Sequence, residues 1–127
     1  MKLHPLHLLL FLLSFFTQPL LAKEPIDVSI IQLIANPTRY DGKVVRIIGF
    51  MKLEFEGDAI YLHQEDYKHS IYKNGFWIEA TEDIQKKKGK LDKRHVILEG
   101  VFNAKMTGHK NLWSGSIQKI TRCHEWR

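Results

Sequence analysis

The sequence predicts a mainly β domain: a five-stranded OB-like barrel with a short N-terminal helix. Three observations carry that prediction. Beyond residue 43 the apolar residues alternate with period two through several short runs. Two of these runs hold an interior glycine, Gly49 and Gly100, each four residues after a valine. Interior glycine weakens a strand unless it permits a bulge, a sharp bend or close packing. Five runs in about 80 residues fit a small closed barrel, whose strands must coil strongly around few neighbours. An SH3-like barrel and an open sheet packed on the helix are the alternatives.

The chain has 127 residues, 44% apolar and 26% charged, with a formal charge of +5 and one cysteine. That composition belongs to a folded domain and excludes a disordered tail. A single cysteine excludes an internal disulfide and a Cys-rich zinc site. Residues 1–22 read as a signal peptide. Lys2 supplies the positive charge, Leu8 to Phe16 the apolar run, Pro19 the helix break and Ala22 the small residue at the cut. The apolar run is shorter than a bilayer span; an uncleaved anchor is the alternative. No cysteine lies near the cut for a lipid anchor. The expectation is therefore an exported protein, periplasmic or secreted, with no membrane span in residues 23–127. In such a compartment an unpaired Cys123 is unusual; it reads as a partly buried small hydrophobe, with intermolecular pairing as the alternative.

In the mature part, Ser29 and Gln32 stand three apart as a capping box, with Val28 and Leu33 at the staple positions. Ile30, Ile31, Leu33 and Ile34 give the helix an apolar face, and Asn36-Pro37 ends it. Tyr40-Asp41-Gly42 follows as a turn. From Lys43, the positions Val45, Ile47, Gly49, Met51, Leu53 and Phe55 share one face of a long strand. Glu56-Gly57-Asp58-Ala59 predicts a hairpin turn with Gly57 at positive φ. The other strands are expected at 59–63, 76–80, 95–102 and 112–121. Between the third and fourth, the lysine-rich stretch 81–94 reads as a solvated connection.

The run from Val28 to Pro37, then Tyr40-Asp41-Gly42-Lys43 and Val45 to Gly49, resembles an uncharacterised family of small exported bacterial proteins. Glu54-Phe55-Glu56-Gly57, Lys73-Asn74, Gly108-His109 and Ser114-Gly115-Ser116-Ile117 also match its pattern. The resemblance covers most of residues 28–122. It implies an OB-like domain and brings no activity with it. This chain departs from the pattern before Ser114, where Gly108 to Trp113 replace a more compact loop.

Charge points first to nucleic acid, because OB folds bind single strands in basic grooves lined with aromatic residues. Removing residues 1–22 takes away one of nineteen basic residues and none of fourteen acidic ones, leaving +4. Yet the first hairpin, one wall of such a groove, carries Glu54, Glu56 and Asp58, which repel phosphate. Nucleic acid is disfavoured as a partner. The loop between the last two strands is the better candidate, since OB folds place a binding loop there. His109 and Asn111 donate and accept hydrogen bonds, Lys110 attracts anions, and Trp113 offers a stacking face. Tyr61 and Trp77 extend the aromatic surface. An enzyme needs a fuller constellation. Ser114 and His109 supply a nucleophile and base without an orienting acid, and the histidines have no metal-ligand spacing. The sequence indicates no cofactor and no metal site.

The expected function is a non-catalytic binding module recognising a cell-envelope small molecule, glycan or protein. A metal-dependent or hydrolytic envelope enzyme is the alternative, and a single-stranded nucleic-acid binder the second.

Overall fold

The computed structural model describes residues 23–127; the expected signal peptide at 1–22 lies outside the described residues. The strands are β1 (Ile26–Asp27), β2 (Val44–Lys52), β3 (Ala59–Tyr61), β4 (Gly75–Ile78), β5 (Arg94–Asn103) and β6 (Ser116–Glu125). Short helices lie between them: α1 (Ile30–Ala35), α2 (Pro37–Tyr40), α3 (Gln64–Lys68), α4 (Glu82–Lys86) and α5 (Lys88–Leu91). β2 to β6 form a closed barrel in the order β2-β3-β4-β6-β5, and β5 returns to β2. β4 and β6 pair in parallel and the other barrel pairs are antiparallel. This is the OB-like arrangement, and β1 is added to it by parallel pairing on β2.

Alternation along β2 explains how the barrel is filled. Val45, Ile47 and Met51 point inward and pack with Ile60, Phe76, Ile78, Val96, Leu98, Phe102 and Ile117. Gly49 is the inward position without a side chain. A Cβ there would come within 2.8 Å of Ile30 Cδ1, Tyr61 O and Ile60 Cγ1, so glycine lets β2, β3 and α1 close on one another. Gly100 sits at the register shift of the β5–β6 ladder.

α1 has the predicted capping box. Ser29 Oγ accepts from Gln32 N at 3.1 Å, and Gln32 Oε1 accepts from Ser29 N at 2.9 Å. Ile30 and Leu33, three apart, are buried against the barrel. Ile31 is 59% exposed, because its position on the helix turns it away from the Ile30–Leu33 stripe.

The structure corrects several local expectations. Pro37 ends α1 but also opens α2, where its missing N–H costs nothing at the first helical position. In the first hairpin the positive φ falls on Glu56 (53°) and not on Gly57. Asp58 Oδ1 accepts from Glu54 N at 3.0 Å and Gly57 N donates to Glu54 O, and this bonding sets the turn. The lysines of the stretch 81–94 are exposed as expected, but the stretch is helical and anchored to the barrel and is not a loop. Thr81 caps α4, Glu82–Lys86 and Asp83–Lys87 form i,i+4 ion pairs, and Ile84 and Leu91 are buried in the main core. The last strand begins at Ser116 and not at Leu112, and β1 adds a short sixth strand to the five expected.

Candidate functional site

The outer side of the barrel carries a second, aromatic layer. Phe50, Ala59 and Tyr61 alternate outward on β2 and β3 and pack with Trp113, bordered by Tyr67, Tyr72, Trp77 and Leu112. Trp113 Nε1 donates to Tyr61 OH at 3.2 Å. Trp77 and Tyr72 meet the Trp113 ring edge-on at 5.1 and 5.2 Å. Burial pushes the Tyr61 hydroxyl up to about 12. Tyr61 and Trp113 are thus 1% and 2% exposed, which removes them from a stacking role and makes them the floor beneath the loops. The chain covers this barrel face with its own loop 104–115, so only the rim remains open.

The loop is held by its own polar groups. Asn103 Oδ1 accepts from Lys105 N and Met106 N, and Asp41 Oδ1 accepts from Ala104 N. Gly108, at φ +74°, lies directly on Trp77, where a Cβ would strike the ring at 2.7 Å. Lys110 and Asn111 both take φ 54°. Asn111 accepts from Thr107 Oγ1 at 2.8 Å through its side chain, and from Lys73 Nζ at 3.2 Å through its carbonyl. Asn111 therefore shapes the loop. Ser114 Oγ donates to Lys73 O at 2.6 Å, so the suggested Ser114–His109 pair is replaced by a structural bond.

The opposite wall is the β2–β3 hairpin. Lys52, buried beside Tyr67, lies 3.5 Å from Asp92 and 3.8 Å from Glu54. Tyr67 OH donates to Glu54 Oε2 at 3.1 Å, and burial first, then the Glu54 charge, raises the Tyr67 hydroxyl above its ordinary value. Gln85 Nε2 donates to Asp58 Oδ2 at 3.0 Å. Past these braces Phe55 stands 91% exposed.

The two walls meet where His109 Nε2 lies 3.3 Å from Glu56 Oε2. Between them is a cleft of about 250 Å³ lined by Glu54, Phe55, Glu56, Tyr72, His109 and Lys110 above Trp113. Of the six residues singled out from sequence, His109, Lys110 and Trp113 line this cleft; Asn111, Tyr61 and Trp77 support it from behind. Phe55, Glu56 and Tyr72 complete it. Phe55 ends an alternating apolar run and so reads as core from sequence; its position between two glutamates is the signal that it leaves the barrel. Among the described residues no group of three or more His, Cys, Asp or Glu side chains could hold a metal ion. Among them, too, no helix is long and apolar enough to cross a membrane.

No protein-family model matches the chain, and no curated protein matches it.

Proposed function

We propose that the chain is an exported, non-catalytic binding module of the cell envelope, which holds a glycan in the cleft between the β2–β3 hairpin and the 104–115 loop. The observation that carries this reading is Phe55, 91% exposed beside a carboxylate–imidazole pair. An aromatic ring left in water on a braced hairpin is a platform for the C–H face of a sugar. Glu56 accepts hydroxyl hydrogens, and His109 and Lys110 donate to ring substituents. The mixed charge suits a neutral polar ligand better than a polyanion, since Glu54 and Glu56 face any phosphate that approaches.

The test is calorimetric titration with the β-1,4-linked tetramer of N-acetylglucosamine. Phe55→Ala should weaken binding by about tenfold or more, as for loss of a stacking contact, and leave thermal stability unchanged. Equal affinity in Phe55→Ala, or no heat of binding at millimolar glycan, contradicts the reading.

A further inference from the structure

A cavity larger than the loop cleft lies on another wall of the barrel. Asp27, Arg46, Glu99 and Arg122 are register partners across β1, β2, β5 and β6. Side chains at paired positions on one face become neighbours, and here they form a row of alternating charge. Arg46 Nη1 lies 3.2 Å from Asp27, and Arg46 Nε donates to Glu99 Oε1 at 2.7 Å. Arg122 Nη1 donates to the same oxygen at 2.9 Å. Arg122 Nε donates to His124 Nε2, also at 2.9 Å. Glu99 is 9% exposed, and its hydrogen bond from Arg46 leads the effects that hold its carboxyl below the usual range.

Two guanidinium groups would repel each other if held this close without the carboxylate beneath them. Glu99 fixes both from below, and among the described residues neither Arg46 Nη2 nor Arg122 Nη2 has a protein partner. Beside this row runs an apolar one. Ile48 pairs with Ile97 across β2 and β5, and Ile48 is 41% exposed. Val28 and the half-exposed Trp126 close the sides. Together these residues line a groove of about 550 Å³, within the usual range for small-ligand sites.

We propose that this groove binds a free single-chain amphiphile with an anionic head, its head on Arg122 and Arg46 and its chain along Ile48, Ile97 and Trp126. The charge order gives the ligand a direction. Asp27 neutralises the outer side of Arg46, so the cationic end of the row is Arg122, whose side chain is 44% exposed. The head seats at Arg122 through charge-assisted hydrogen bonds to planar donors. Asp27, 78% exposed, opposes it from the far end.

The experiment titrates the protein with sodium decanoate below its micelle concentration, with decanol, and with anionic phospholipid vesicles. Binding is read by calorimetry and by the Trp126 indole N–H resonance. Decanoate should bind and shift that resonance, and decanol should bind about tenfold or more weakly. Arg122→Gln should weaken decanoate by a similar factor, whereas Asp27→Asn should tighten it. The opposite sign of the second variant separates lost recognition from a damaged fold. Equal affinity for decanol, binding to vesicles alone, no binding of decanoate, or unchanged affinity in both variants overturns the proposal.

Discussion

Replacing Gly49 by alanine tests how tightly the barrel closes. The added methyl would sit 2.7 Å from Tyr61 O and Ile30 Cδ1 and 2.8 Å from Ile60 Cγ1. Either isoleucine could give way by rotation, but the carbonyl belongs to β3, so β2 and β3 must separate. Overpacking of this kind costs about 1–3 kcal/mol. Alanine also restricts the unfolded chain, which returns about 0.4–1 kcal/mol. The net loss is about 1–2 kcal/mol, and for a domain of about 100 residues each kcal/mol moves Tm by roughly 4–8 °C. Thermal unfolding followed by circular dichroism should show Gly49→Ala melting about 5–15 °C below the parent. Gly89 in α5 is the control, because nothing lies within 4 Å of a Cβ there. Gly89→Ala should be neutral or stabilising by up to about 1 kcal/mol, from helix propensity alone. If Gly49→Ala melts with the parent, the close approach of β2, β3 and α1 is wrong.

Trp113→Ala removes the floor of the loop cleft and the partner of the Tyr61 hydroxyl. A loss of about 3–5 kcal/mol in urea unfolding is expected, as for other buried aromatic truncations; a loss below about 1 kcal/mol would show the loop is not anchored there. Burial pushes the Cys123 thiol from 9.0 up to about 11. The folded state therefore keeps the proton longer, so stability present below pH 9 is lost as pH rises through about 11. The urea midpoint should fall between pH 9 and pH 11, and fall less in Cys123→Ala. Glu99 behaves in the opposite sense. Its carboxyl is held below 4.5, so its contribution is present above that pH and lost as pH falls through the lower folded value. Glu99→Gln should flatten the acid limb of the stability profile; an unchanged limb would place the acid sensitivity elsewhere.

Several elements were legible because their signals are local. Ser29 and Gln32 need only each other to make a cap, and alternation from Val45 to Leu53 needs only the strand. Gly49 and Gly100 marked places where strands crowd. The helices α4 and α5 hid behind their lysines, since Ile84 and Leu91 are isolated apolar residues in a polar stretch. β1 is two residues long, too short for any periodicity. Leu112 and Trp113 looked like the start of β6 because apolar residues precede Gly115; their burial is in the outer aromatic layer and not in the barrel. Site geometry was less legible for a different reason. The contact of Glu56 with His109 joins two loops far apart in sequence, and the row from Asp27 to Arg122 exists only once four strands are in register. Single alternating positions carry no mark of such a row.

The most direct measurement is a backbone amide NMR titration with the β-1,4-linked tetramer of N-acetylglucosamine. Saturable shifts confined to residues 54–57, Tyr72 and residues 108–113 are expected, with the Phe55 amide among the largest. Shifts centred on Arg46, Glu99 and Arg122, or scattered weak shifts that do not saturate, would contradict a ligand site between the hairpin and the loop.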